Sequence, residues 1–381
     1  MSKVLYITNI AGKEFGINFV GSALSAAKRM GMEFYVVANR NASTKEQIVK
    51  DEEKYGVHLL HADINRFPLS LSNVTALKQI IKIVKDNDID IIHCNTPIGG
   101  VLGRLAGKKC GVKSVIYQAH GFHFYEGAPI VNWLIYYPIE RMLARYTDVL
   151  ITINKEDYER AHRFRLKTNG KVCYVPGVGI DLSQYENTSI DRVEKRASLG
   201  LEEDDFVVIS AGELNKNKNN KVIIDAIKTI DNGKIHYLVC GKGPLEKNLK
   251  VLSEKRNLSD RIHFLGYRTD VKELLMVSDV FVMPSYREGL SRSIMEAMAC
   301  GVPCVVSRIR GNTDLIVNGK GGMTNSPRDV RGFANALSKL YQNKDLSSAM
   351  SNYNLKAINS FSIEVVANQL FDIYKEESSR G

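Results

Sequence analysis

Nowhere does the chain carry an uninterrupted apolar run near the roughly 20 residues that a membrane-spanning helix requires. Its start, Met1-Ser2-Lys3-Val4-Leu5-Tyr6-Ile7-Thr8, enters a strand pattern directly, without the apolar stretch and small-residue cleavage site of a secretory signal. A cytoplasmic protein is therefore expected. Cysteines are sparse: Cys94, Cys110, Cys173, Cys240, Cys300 and Cys304 lie in apolar strands and at helix ends, as reduced thiols packed like small hydrophobes would. The close pair Cys300 and Cys304 lacks the further His or Cys ligands of a zinc site, and no metal site is expected. Also missing are a sequence repeat, a low-complexity segment and a nucleic-acid-binding motif. Gly241-Lys242-Gly243-Pro244 lacks the third glycine of a dinucleotide fingerprint, so a packing turn is the expectation there.

What the chain does have is ordinary globular substance: 381 residues, 44% apolar and 25% charged, enough for two domains with their own cores. Strand and helix patterns alternate twice over, which predicts two doubly wound parallel sheets. In the first half the strands are expected at Val4 to Thr8, Phe34 to Ala38, His58 to His61, Ile89 to Cys94, Val115 to Ala119, Val149 to Ile153 and Val172 to Val175. The second half restarts with Phe206 to Ala211, Ile235 to Cys240, Ile262 to Leu265, Val280 to Met283 and Cys304 to Ser307. Pro176-Gly177-Val178-Gly179 punctuates the chain between the two sets.

Charge is divided unevenly. Up to Ile180 there are 24 lysines and arginines against 16 acidic residues, net +8, and beyond it 28 against 26, net +2, which together make the +10 of the chain. Basic residues cluster at Lys78, Lys82 and Lys85, at Arg104, Lys108, Lys109 and Lys113, and at Arg141 and Arg145, near apolar neighbours. The expectation is a first half that lies on an anionic membrane surface; solvated helix faces are the plain alternative.

The most informative stretch is Tyr286-Arg287-Glu288-Gly289-Leu290-Ser291-Arg292-Ser293-Ile294-Met295-Glu296. It follows the apolar strand Val280 to Met283 and precedes a short helix that Gly301 and Pro303 would end, so Glu288 falls at a strand's carboxyl end. The amides of Leu290 and Ser291 then point at the same crevice, where a helix start favours an anion. Glu-x7-Glu in this setting resembles the signature of the retaining, nucleotide-sugar-dependent glycosyltransferases of family 4.

The resemblance spans essentially the whole chain and implies the GT-B architecture: α/β, two Rossmann-like domains facing across a cleft. Residues 1–180 would form an acceptor-binding domain, 181–360 a nucleotide-sugar-binding domain, and 361–381 a helix crossing back to the first. By the same resemblance Glu288 lies near the donor sugar, with Gly289, Leu290 and Ser291 beside the phosphates, and Glu296 holds the ribose. Lys218, in Ser210-Ala211-Gly212-Glu213-Leu214-Asn215-Lys216-Asn217-Lys218, matches the family's phosphate-clamping lysine. Glu213 stands where the family carries an arginine, and Arg287, Arg308 or Arg310 are candidates to compensate. Tyr267 and Arg268 match the segment beside the nucleotide base, and Gly12 the loop near the donor phosphate.

Gln118-Ala119-His120-Gly121-Phe122-His123 resembles a stretch of polymer-building members, which puts His120 and His123 at the transferred sugar or the acceptor hydroxyl. Trp133 and Arg141, with Tyr136 and Tyr137, are candidates for the rim that meets a lipid-linked acceptor. The catalytic expectation is thus His120, Lys218 and Glu288. The resemblance implies transfer of a hexose or N-acetylhexosamine from a UDP-sugar to an undecaprenyl-diphosphate-linked saccharide in capsule or exopolysaccharide assembly. The enzyme would sit peripherally on the cytoplasmic face of the plasma membrane, with no cofactor besides the donor as substrate. Alternatives are a UDP-sugar 2-epimerase of the same fold and a non-catalytic basic protein that binds nucleic acid.

Overall fold

A computed structural model describes residues 2–9, 16–186 and 190–380. The chain divides into two compact units, one running to Gly179 and resuming at Ile363, the other spanning Ile180–Ser362.

The first unit holds seven strands: β1 (Lys3–Ile7), β2 (Glu33–Ala38), β3 (His58–His61), β4 (Ile91–Asn95), β5 (Ser114–Ala119), β6 (Val149–Thr152) and β7 (Lys171–Tyr174). They pair in parallel in the order β3-β2-β1-β4-β5-β6-β7. Burial on both faces explains the apolar runs of the inner strands, whereas the edge strands β3 and β7 are partly exposed and carry His58, His61 and Lys171. Alternate residues still separate: Leu5 and Ile7 face one core layer with Ile92 and Tyr117, and Val4 and Tyr6 face another with Ile91 and Ile116. The second layer is completed from the far end of the sequence, where Val366, Leu370, Ile373 and Tyr374 of the helix Ile363–Ser379 pack beside Val20, Leu24 and Ala27 of the helix Ile17–Arg29. Tyr374 adds a buried hydrogen bond between its hydroxyl and His93 Nδ1, 2.7 Å.

The second unit repeats the plan with β8 (Phe206–Ala211), β9 (Ile235–Cys240), β10 (Ile262–Gly266), β11 (Val280–Met283), β12 (Cys304–Ser307) and β13 (Gly322–Asn325). Their order is β10-β9-β8-β11-β12-β13, again all parallel. β13 escapes sequence reading because it is four residues long and opens on Gly322, where a Cβ would stand 1.8 Å from the Cys304 carbonyl oxygen. The turn at Gly241 is a packing turn: a Cβ there would meet the Gly212 carbonyl at 1.9 Å, so only glycine lets the two loops touch.

In each sheet the strand order reverses beside the first strand, between β1 and β4 and between β8 and β11. Loops leaving the carboxyl ends of such strands part to opposite faces, and the gap between them is where open α/β sheets bind ligands.

Candidate active site

Lys218 and Glu288 come from the two loops that part at the switch point of the second sheet, after β8 and after β11. Seventy residues apart in sequence, they meet as an ion pair, with Lys218 Nζ 2.8 Å from Glu288 Oε1. Both side chains are mostly shielded, at 22% and 14% exposure. Three asparagines around the lysine set this geometry. Asn215 Oδ1 accepts the Lys218 amide (3.0 Å), Asn217 Nδ2 donates to the Arg287 carbonyl (2.9 Å), and Asn219 Nδ2 donates to the carbonyls of Pro284 and Pro327 (3.1 and 2.7 Å). Asn219 adopts a left-handed φ of 53°, which asparagine tolerates better than most residues. Sequence reading had passed over these asparagines, although Asn215-Lys216-Asn217-Lys218-Asn219-Asn220 is a visible run of short polar side chains after a strand.

Beyond Glu288 the helix Arg292–Ala299 begins, with Ser291 as its cap residue and no side-chain hydrogen bond closing the end. The amides of Leu290 and Ser291 have no acceptor among the described residues, so this first turn is open to an anion. Gly311 supports it from behind: at φ 76°, a Cβ there would fall 2.3 Å from the Gly289 carbonyl oxygen. Glu296 lies on the same helix, half-buried, and accepts from Arg292 Nε at 3.0 Å.

The other residues expected at the donor are distributed less simply. Glu213 is exposed and takes a hydrogen bond from Asn215 Nδ2 (2.9 Å) in the loop that carries Lys218. Of the candidates to replace the missing arginine, Arg287 is exposed, Arg308 donates to the Thr324 carbonyl (3.2 Å), and Arg310 is buried. Arg268 is gripped by both oxygens of Asp270, with Nε 2.7 Å from Oδ1; its side chain is a brace for the loop after β10, and Tyr267 beside it stands 75% exposed. Gly12 lies outside the described residues.

In the first unit His120 directly follows β5, beside Asn95 at the end of β4. Its Nε2 is 3.0 Å from Asn95 Oδ1, and its ring packs on Phe19 with centroids 4.8 Å apart. With the Asn95 oxygen accepting, Nε2 carries the proton and Nδ1 is left as the basic nitrogen. Burial pushes the His120 pKa down to about 4, so the ring is neutral at physiological pH. His123 stacks on Tyr136 at 4.6 Å.

Trp133 is a packing residue: Phe124 and Tyr137 flank its ring, and the Arg160 guanidinium covers it at 4.6 Å. The exposed apolar residues of the same helix, Ile130–Ala144, are others: Ile130 (74%) and Leu134 (70%) stand in solvent with Val131, Ile135 and Met142. Arg141 and Arg145 are exposed at its end. Arg104 leaves the surface cluster to which its sequence neighbours assign it. It is buried against Glu140, Nη1 to Oε2 2.7 Å, with the guanidinium 3.9 Å above the Tyr117 ring.

Two Rossmann-like units, each with a crevice at its switch point, are the architecture of the glycosyltransferases of GT-B type. Residues 191–357 match the family model for glycosyl transferases group 1, and residues 3–154 the glycosyl transferase 4-like model. EpsD of Bacillus subtilis, a protein assigned to the glycosyltransferases, is 36% identical over 353 residues, 91% of this chain and 90% of its own length. A UDP-Gal:α-D-GlcNAc-diphosphoundecaprenol α-1,3-galactosyltransferase of Escherichia coli is 32% identical over 80% of each chain. Among solved structures, Anabaena HepE in complex with UDP and glucose superposes with a TM-score of 0.79 at 19% identity, over 99% of this chain and 100% of its own. The chain belongs to the group 1 glycosyltransferases.

Proposed function

We propose that the protein transfers a hexose or N-acetylhexosamine from a UDP-sugar to an undecaprenyl-diphosphate-linked saccharide, with retention of anomeric configuration, in capsule or exopolysaccharide assembly. The observation that carries this reading is the Lys218–Glu288 pair beside the open turn at Leu290 and Ser291, a site made for a diphosphate and the sugar attached to it. Similarity to a galactosyltransferase whose acceptor is a diphosphoundecaprenol-linked sugar supports the acceptor class.

As the bond from the sugar C1 to the β-phosphate oxygen breaks, its electron pair passes to the diphosphate. A Lys218 ammonium and two preorganised amides stabilise that charge more in the transition state than in the ground state. The acceptor oxygen bonds to C1 on the same face, and its proton goes to the departing phosphate. Glu288, freed from Lys218 as the lysine turns to the phosphates, holds sugar hydroxyls, and Glu296 holds the ribose. Neutral His120 offers Nδ1 to a sugar or acceptor hydroxyl. Lysine and helix amides supply the electrophilic assistance, so the scheme calls on no metal or further cofactor.

The same reading places the enzyme on the cytoplasmic face of the plasma membrane. Leu69 and Leu71, more than four-fifths exposed, and Phe67 extend the apolar surface of the helix Ile130–Ala144, since Pro68 and Ile139 line one common cavity. With Arg66, Arg141 and Arg145 nearby and the +8 excess of this half, that face suits anionic lipid. Incubation with a panel of UDP- and GDP-sugars and synthetic lipid-linked acceptors, read by mass spectrometry, tests the function. One added hexose or N-acetylhexosamine on the lipid-linked product is expected, and interconversion of the sugar nucleotide without acceptor would replace the reading by an epimerase.

A further inference from the structure

Beneath the exposed helix Ile130–Ala144 lies a cavity of about 280 Å³, wholly within the first unit. Its wall is mostly hydrocarbon and aromatic, including Pro97, Ile98, Val101, Phe122, Phe124 and Ile139. Apart from His120 Nδ1, the hydrogen-bonding groups named on that wall are already engaged by the protein. Glu140 receives Arg104 on Oε2 (2.7 Å) and the Tyr117 hydroxyl on Oε1 (3.3 Å), Tyr117 carries the Arg104 guanidinium on its ring, His120 is bonded to Asn95, and His123 is stacked on Tyr136. A sugar entering here would lose water without gaining partners for most of its hydroxyls. A hydrocarbon would lose nothing and bury apolar surface.

The mouth points the same way. Pro68 and Ile139 line the cavity and are themselves exposed, next to the exposed Phe67, Leu69 and Leu71 and the exposed apolar residues of the helix, so apolar surface continues from the cavity wall to solvent. A single water needs about 10–15 Å³ by the same measure, so the space admits a stretch of hydrocarbon chain many atoms long. His120 lies on the wall.

We propose that this cavity binds the first isoprene units of the polyprenyl chain next to the acceptor's diphosphate, and so positions the acceptor by its tail. The assignment rests on the acceptor class proposed above. The tail then contributes to affinity directly, and acceptors with short chains bind weakly even when their sugars are correct.

Trp133, the single tryptophan of the chain, packs against Phe124 on the cavity wall (5.7 Å between centroids) and reports occupancy through its fluorescence. Full-length protein is titrated with farnesyl phosphate, dodecyl phosphate and inorganic phosphate. Farnesyl phosphate should give a saturable change, inorganic phosphate none, and dodecyl phosphate should bind more weakly. Val101→Phe, which fills the cavity, and Ile139→Asp, which puts a charge at its half-exposed mouth, should each weaken farnesyl phosphate by about tenfold or more, with UDP affinity, a property of the second unit, unchanged as the check on folding. Undiminished farnesyl binding in both variants, or equal binding of dodecyl phosphate, overturns the assignment. Sugar transfer to lipid-linked acceptors without farnesyl binding overturns the tail site and leaves the proposed function standing. Farnesyl binding without any transfer does the reverse.

Discussion

Replacing Lys218 by alanine removes the ammonium that pairs with Glu288 at 2.8 Å. Two consequences separate cleanly. Stability falls because Glu288 keeps its charge in a mostly shielded place without its partner. A fully buried pair broken this way costs about 3–5 kcal/mol, but both groups retain some contact with water, so the cost here is nearer 1–2 kcal/mol. Function falls further. A charge-assisted hydrogen bond to the diphosphate is worth about 1.5–3 kcal/mol, which is roughly ten- to a hundredfold in UDP affinity. UMP, with no β-phosphate, should lose much less, and turnover should drop on the order of a hundredfold. Calorimetry with UDP and UMP, with initial rates at saturating donor, reads all three. The Glu288→Gln background supplies the control: there the stability cost of Lys218→Ala should shrink, since no buried charge is left alone. A Lys218→Ala protein that still prefers UDP over UMP as the parent does, with turnover within about threefold, would refute the clamp.

Glu296→Gln should weaken UDP and UDP-sugar alike by about 1.5–3 kcal/mol, because a ribose contact is common to both; equal UDP affinity by calorimetry would remove the ribose assignment. Burial holds His93 at a pKa of about 3 and His120 at about 4, well under the ordinary 6.5. The unfolded chain therefore takes up protons first as pH falls, and stability present above pH 6.5 is lost progressively down to about pH 4 for His120 and about pH 3 for His93. Between pH 7 and 5 that amounts to about 2 kcal/mol for each histidine. Urea unfolding followed by Trp133 fluorescence should show it, and a midpoint unchanged from pH 7 to 5 would contradict it. Full-length protein should float with anionic vesicles at low salt, less with neutral ones, and Leu134→Asp with Arg141→Glu should abolish flotation; equal recovery with both vesicle types would leave the basic half a solvated surface.

Much of the fold was legible because parallel strands buried on both faces announce themselves as apolar runs, and five of the six strands of the second sheet fall within a residue of where those runs predict. β13 was not legible, since four residues opening on a glycine carry almost no periodic signal. At the candidate site, spacing could show that Glu288 and Glu296 share one loop and helix. It could not show that Lys218 meets Glu288, because that contact depends on β8 and β11 being neighbours in a sheet whose order is not sequential. The helix Ile130–Ala144 shows a different limit. It is apolar on both sides, so pattern alone cannot say which side is buried, and only packing assigns Trp133, Tyr136 and Tyr137 to the core and Ile130 and Leu134 to solvent. Arg104 misled for a related reason: a basic residue among lysines reads as surface until its buried partner, Glu140, is seen.

Transfer of an isotope-labelled sugar from its UDP donor to a synthetic undecaprenyl-diphosphate-linked saccharide, with NMR of the extracted lipid product, tests the central claim most directly. The account predicts label in the lipid-linked product only when donor and acceptor are both present, joined through an α-linkage from an α-linked donor, and reduced on the order of a hundredfold in Lys218→Ala. Label recovered as an epimerised nucleotide or free sugar, or a β-linked product, would contradict it.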